Sequence, residues 1–144
     1  MKLKRVEYVD MDSRQKEAYN YQKLSGLLAD FGITTIRLSA DWEGADFIAQ
    51  NAKTLEFIAV QLKGRFSLAK KYRGKGLWIA FRDSQTWYLY DHDAVWDSLE
   101  SSGHGLFATK SWESDGGHYN YPTLSKELRL LLEPYRIDAA SIPG

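Results

Sequence analysis

The chain has 144 residues, of which 44% are hydrophobic and 26% charged, and it contains no cysteine. That length suits one domain able to bury roughly two-thirds of its unfolded surface. The lack of cysteine excludes disulfides, Cys-ligated zinc, iron–sulfur clusters and thiol catalysis. Lys plus Arg number 19 and Asp plus Glu 19, so the formal net charge is zero; taken alone, this argues against the basic footprint of a nucleic-acid binder. No apolar run approaches the ~18 residues of a membrane span. The basic start, Met1 to Arg5, is followed by no apolar signal core, so a cytoplasmic location is expected.

In chain order, residues 13–31 predict a helix, capped by Asp12 or Ser13 and ended by Gly32. Tyr21, Leu24, Leu28 and Phe31 form its apolar stripe, and Glu17 falls on the same stripe. A carboxylate there needs a partner or a wet cleft, or else reaches solvent from the second turn. Ile33–Leu38 reads as a strand, residues 39–44 as a loop, and Ala45–Gln50 and Leu55–Arg65 as a hairpin. Ser67–Tyr72 predicts a short helix. Leu77–Phe81 and Trp87–Tyr90 predict two more strands, and Ala94–Glu100 a helix capped by Asp93. Phe107–Trp112 and His118–Tyr121 suggest a hairpin about residues 113–117, and Ser125 caps a final helix before a tail. The expected class is a mixed α/β (α+β) domain on one sheet.

Alternation along the third strand puts Ile58, Val60 and Leu62 on one face and Phe57, Ala59, Gln61 and Lys63 on the other. In the second strand Asp46, Ile48 and Gln50 share a face, and hairpin pairing brings Asp46 to the sheet end that holds Gln61 and Lys63. Glu17 can reach in from the first helix. This set suits a hard cation such as Mg²⁺ or Mn²⁺, which takes oxygen ligands and retains water. Asp46, the Gln61 amide oxygen and the Leu62 carbonyl would be ligands, Glu17 would support the ion, and Lys63 would orient or help deprotonate a water. The alternative is that Asp46 closes a turn and Lys63 ends a strand in solvent.

Gly44-Ala45-Asp46-Phe47-Ile48-Ala49 followed by Phe57-Ile58-Ala59-Val60-Gln61-Leu62-Lys63-Gly64 resembles the PD-(D/E)xK nuclease motif. It is most similar to the Q-x-K variant of Mrr-type and Holliday-junction-resolvase-like nucleases. The resemblance implies a restriction-endonuclease-like αβββαβ core over about residues 13–82, a central mixed sheet flanked by helices, and an elaboration over 83–144. It implies a metal-dependent endonuclease hydrolysing DNA phosphodiesters, with Asp46, Gln61, Lys63 and Glu17 as site residues. Cutting both strands of a duplex would favour a homodimer. Gln61 stands where the commoner pattern has an acid, which removes one negative charge from the metal site. A nuclease-like module that binds nucleic acid without cutting, or a small protein-interaction or adaptor domain, are the alternatives.

The zero net charge is unevenly spread. Between Phe57 and Arg82 there is no acid, but there are Lys63, Arg65, Lys70, Lys71, Arg73, Lys75 and Arg82. Asp83, Asp91, Asp93, Asp97 and Glu100 follow with no Lys or Arg among them. Arg65, Lys70, Lys71, Arg73 and Lys75 are therefore the candidate contacts to a phosphate backbone. His92, His104 and His118 have no zinc-site spacing and read as surface or loop histidines.

Overall fold

The computed structural model describes residues 1–114 and 116–137. The fold is α+β, with a mixed six-stranded sheet flanked by helices. Helix α1 (Ser13–Ala29) precedes the strands β1 (Ile33–Trp42), β2 (Ala45–Asn51), β3 (Phe57–Leu62) and β4 (Phe66–Ala69). Then come β5 (Leu77–Asp83), β6 (Thr86–Asp91), α2 (His92–Ser101), α3 (Lys110–Glu113), β7 (His118–Tyr121), α4 (Lys126–Leu132) and β8 (Arg136–Ile137). The large sheet has the order β1-β2-β3-β5-β6-β8, with β3 and β5 parallel and its other pairs antiparallel. Parallel neighbours require a crossover of a dozen or more residues. Residues 63–76 supply it and carry the basic block across the end of the sheet. The element order α1-β1-β2-β3 followed by a strand parallel to β3 is consistent with a restriction-endonuclease-like fold, but β4 and a 3-10 turn stand where the expected αβββαβ core has its second helix.

Local chemistry sets the boundaries of α1. Asp12 accepts the Gln15 amide at 2.8 Å while Gln15 returns a bond to the Asp12 amide at 2.9 Å, a reciprocal cap. Gly32 follows at φ +72°, a left-handed conformation that costs glycine little. One sheet face packs against α1 through Leu24, Leu28, Phe47, Ala49, Val60, Ala80 and Trp87. The other face buries Ile79, Phe81, Tyr88 and Tyr90 against Phe66, Val95, Leu99, Leu106, Leu128 and Leu132. Phe31 departs from the expected stripe: it lies beyond the last turn of α1 and is 41% exposed.

Several sequence expectations are corrected. Ser67–Tyr72 is not a helix but β4 followed by a 3-10 turn at Lys70–Tyr72. All four residues of β4 are buried, and it pairs with β7 from Phe66↔Tyr121 to Ala69↔His118, a long-range contact that overrides local helix propensity. His118–Tyr121 is thus a strand, but its partner is β4. Residues 107–112 instead form 3-10 and α-helical turns, the latter capped by the Thr109 hydroxyl. The expected loop at 39–42 continues β1, with a register shift between Arg37 and Trp42. Asp91, not Asp93, caps α2 by accepting the amides of Asp93 and Ala94. Ser125 caps α4 as expected. The tail, residues 138–144, lies outside the described residues. Among the described residues no helix is long and apolar enough to cross a membrane.

Candidate nuclease-like cleft

The β2–β3 register, Phe47↔Val60 through Gln50↔Phe57, puts the start of β2 beside the end of β3. The amide of Leu62 donates to Asp46 Oδ2 at 2.7 Å, which anchors the carboxylate to the neighbouring strand. Asp46, Gln61 and Lys63 line one cleft of about 480 Å³, together with Glu43, Lys71, Tyr72 and Lys75. The sequence-derived trio therefore meets in one place.

Glu17 does not join it there. Its exposed side chain lies 3.9 Å from Arg37 Nη2, in an adjoining cleft that shares Asp46 and also holds Tyr21, Arg37 and Leu62. Asp46 is the hinge between the two clefts, with Lys63 on one side and Glu17 on the other.

Tyr72 escaped the sequence reading. Its ring is buried and carries two lysine ammonium groups, Lys63 Nζ at 5.4 Å and Lys71 Nζ at 5.1 Å from the centroid. Cation–π attraction at such distances holds the amines over the ring face without neutralising them. Gly44 makes this packing possible. It sits at φ +89°, and a Cβ there would lie 3.0 Å from Tyr72 Cε1. The Gly44 two residues before Asp46 is the sequence signal that a bulky group approaches this turn.

The basic block divides. Lys71 and Lys75 line the cleft, and Lys75 Nζ is 3.6 Å from Glu43. Lys70 turns to Trp112, 5.5 Å from the ring centroid. Arg73 faces α2, hydrogen-bonded to Asp97 at 2.7 Å, 3.8 Å from Asp93 and stacked on Trp96. Its hydrogen bond to Asp97 holds its pKa above the ordinary value. Arg65 is exposed just past β3. The acidic flank seen in the sequence thus neutralises Arg73 and leaves the cleft lysines apart.

His92 is fully buried, contrary to the surface position expected. Its Nε2 accepts the Ala69 amide at 3.1 Å, so the proton is on Nδ1, which faces Asp93 Oδ1 at 2.9 Å. Asp93 Oδ2 accepts the Gly74 amide at 2.9 Å. The first turn of α2 therefore grips both ends of the segment that bears Lys71 and Tyr72. Burial lowers the His92 pKa below 6.5, against an upward pull from Asp93. Burial also opposes ionisation of Asp93, but bonds from His92 and Gly74 outweigh it and hold that carboxyl below its usual range. A buried neutral His stabilises fully above its unfolded pKa; as pH falls through that value, the unfolded chain takes up a proton that the folded chain refuses. The stability difference between wild type and His92→Gln, measured by urea midpoints, is expected to shrink from pH 7.5 to pH 5.5. A constant difference would show that His92 does not stay neutral.

The donor set fits a hard, mostly hydrated cation. Among the described residues no three His, Cys, Asp or Glu side chains are grouped to hold a metal. Among the described residues the cleft offers the carboxylates of Asp46 and Glu43, the latter 3.6 Å from Lys75, and the neutral oxygen of Gln61, while Leu62 lines the adjoining cleft. Gln61 Nε2 donates to Leu62 O at 3.4 Å, so the Gln61 oxygen joins that carbonyl at one ion only with the amide turned end for end. Mg²⁺ accepts such sparse protein ligation where waters and substrate phosphates complete its shell.

No protein-family model and no curated protein matches the chain. The chain is similar to the solved structure of Hjc, a Holliday junction resolvase from the archaeal hyperthermophile Archaeoglobus fulgidus. That similarity covers 55% of this chain and 74% of that one, at 16% identity and a TM-score of 0.40.

Proposed function

We propose that the protein is a metal-dependent nuclease of the PD-(D/E)xK type, in its Q-x-K form, acting on DNA phosphodiesters. The observation that carries this reading is the meeting of Asp46, Gln61 and Lys63 in one cleft, flanked by Lys71 and Lys75. Asp46 and the Gln61 and Leu62 oxygens would hold Mg²⁺ or Mn²⁺, with Glu17 reaching the shared Asp46 from the far side. A cation bound there would polarise a phosphate oxygen and lower the pKa of a water. Asp46, pinned by the Leu62 amide, presents its carboxylate in a fixed direction. Lys63, held over Tyr72, donates a hydrogen bond to the attacking water or to a non-bridging oxygen, where charge develops during displacement. Lys71 and Lys75 hold the backbone through phosphate contacts, with Arg65 beyond them; Lys70 and Arg73 face elsewhere and would have to turn to join them.

A second reading, a nucleic-acid-binding module that does not cut, is favoured by one observation: the Gln61 amide stands beside Asp46 where a second acid would be expected, and the other described carboxylate of the cleft, Glu43, lies 3.6 Å from Lys75. The two separate on one gel. Supercoiled plasmid, linear duplex and four-way-junction DNA are incubated with Mg²⁺, Mn²⁺ or EDTA. The nuclease reading expects products only with metal. Metal-independent band shifts that weaken steeply with salt, without products on any of the three DNAs, would favour the module.

A further inference from the structure

Arg82 lies outside the cleft described above. It stands near the end of β5, beside the end of β3, where the Lys63 amide donates to the Ala80 carbonyl at 2.8 Å. Lys63 and Arg82 therefore project from the C-terminal ends of neighbouring parallel strands, where ligands commonly bind in open sheets.

The surroundings of Arg82 are aromatic. Its guanidinium carbon is 4.8 Å from the Tyr8 ring centroid and 5.8 Å from those of Tyr19 and Trp87. Among the described residues no carboxylate lies within 4 Å of it, in contrast to Arg73 with its two aspartates. Cation–π contact with these rings holds the guanidinium in place but leaves its charge and its N–H fork for an anion. A cavity of about 230 Å³ opens beside it, walled by Tyr8, Asn20, Lys63, Arg82 and Trp87. No acid lines this cavity, and Lys63 is common to it and to the Asp46 cleft.

Asn20 braces the Tyr8 side of the cavity. Its Nδ2 is 2.9 Å from Tyr8 Oη, while its Oδ1 is buried with no hydrogen-bond partner. In either orientation of the amide its exposed end bonds the Tyr8 hydroxyl, so Asn20 holds the Tyr8 ring in the cavity wall. The site therefore holds a guanidinium and an ammonium, Arg82 and Lys63, against an aromatic wall. Around it Lys16 lies 5.4 Å from the Tyr8 ring, Lys23 5.3 Å from the Tyr19 ring, and Lys2, Lys4 and Arg5 are exposed just upstream.

We propose that this cavity is a second phosphate subsite, which takes a backbone phosphate of nucleic acid adjoining the one at the Asp46–Lys63 cleft. Its substrate class rests on the nuclease reading; its anion chemistry rests on Arg82 and Lys63, with Asn20 holding the wall beside them. The shared Lys63 makes the two sites one track along the ends of β3 and β5.

The test is fluorescence anisotropy of an end-labelled DNA duplex of about 20 base pairs, without metal, across a salt series. Arg82→Gln is expected to weaken binding about tenfold and to lower the log–log salt slope by about one unit. Arg82→Lys keeps the slope, Asn20→Asp weakens binding as Arg82→Gln does, and Lys53→Gln, in the distant β2–β3 turn, stays within twofold. Inorganic phosphate at matched ionic strength competes no better than chloride; stronger competition would make this a free-phosphate site and overturn the proposal. Circular dichroism melting checks that each variant is folded, and Asn20→Asp serves if Arg82→Gln is not. If wild type binds while Arg82→Gln and Asn20→Asp keep its affinity and slope, the subsite is wrong and the nuclease reading stands. If wild type neither binds nor cuts DNA at low salt, both are wrong.

Discussion

Lys63→Ala is expected to lower metal-dependent DNA cleavage by about 10²–10³-fold, the usual cost of deleting one donor aimed at developing charge. Lys63 directly follows β3, lines the cleft that contains Asp46 and Gln61, and has no carboxylate within 4 Å among the described residues. An amine so placed has its hydrogen bonds available for phosphate or water. Asp46→Asn should give a comparable loss, since it removes the cleft's central carboxylate while keeping an acceptor for the Leu62 amide. DNA affinity without metal should fall only several-fold in Lys63→Ala, because Lys71 and Lys75 remain. Single-turnover cleavage of a labelled duplex separates the two effects. Equal rates for wild type and Lys63→Ala would remove Lys63 from the chemistry.

Phe47→Ala is expected to destabilise the protein by about 3–5 kcal/mol, measured by urea denaturation. Phe47 is fully buried, pairs with Val60 across β2–β3, and meets the Tyr21 ring of α1 edge-on at 5.3 Å between centroids. Its removal leaves a cavity between the helix and the sheet that neither rigid element can close. The side chain next in sequence is Asp46, so the loss should also loosen the cleft and reduce cleavage. A cost below about 1 kcal/mol would mean that α1 repacks freely on the sheet, against the packing described.

The hairpin and the convergence of Asp46 with Gln61 and Lys63 were legible because local rules act there. Period-two alternation assigned Val60 and Gln61 to opposite faces, and a short turn fixed which strand ends meet. The capped ends of α1 and α4 were legible for the same reason. What escaped depends on partners far away in sequence. β4 is a strand because β7 covers it from about fifty residues downstream. His92 is buried because Ala69 and Gly74 come to the first turn of α2. Arg73 read as one of a basic run, but Asp97 and Asp93 claim it across that same contact. Glu17 read as either reaching into the cleft or reaching solvent, and it is exposed at the rim, 3.9 Å from Arg37 on β1. Charge counted along the chain said where cations are dense; only the crossover path of residues 63–76 says which of them face the cleft.

The Mg²⁺ concentration that gives half-maximal cleavage, compared between wild type and Gln61→Glu, tests the placement of the metal most directly. A second carboxylate beside Asp46 would strengthen cation binding, because each added charge a few ångströms from the ion contributes on the order of kilocalories even when screened. The expected result is metal-dependent cleavage by wild type, with Gln61→Glu reaching half-maximum at about tenfold lower Mg²⁺. Cleavage by wild type that persists in EDTA, or a Gln61→Glu variant with an unchanged Mg²⁺ requirement, would contradict a cation held between Asp46 and Gln61.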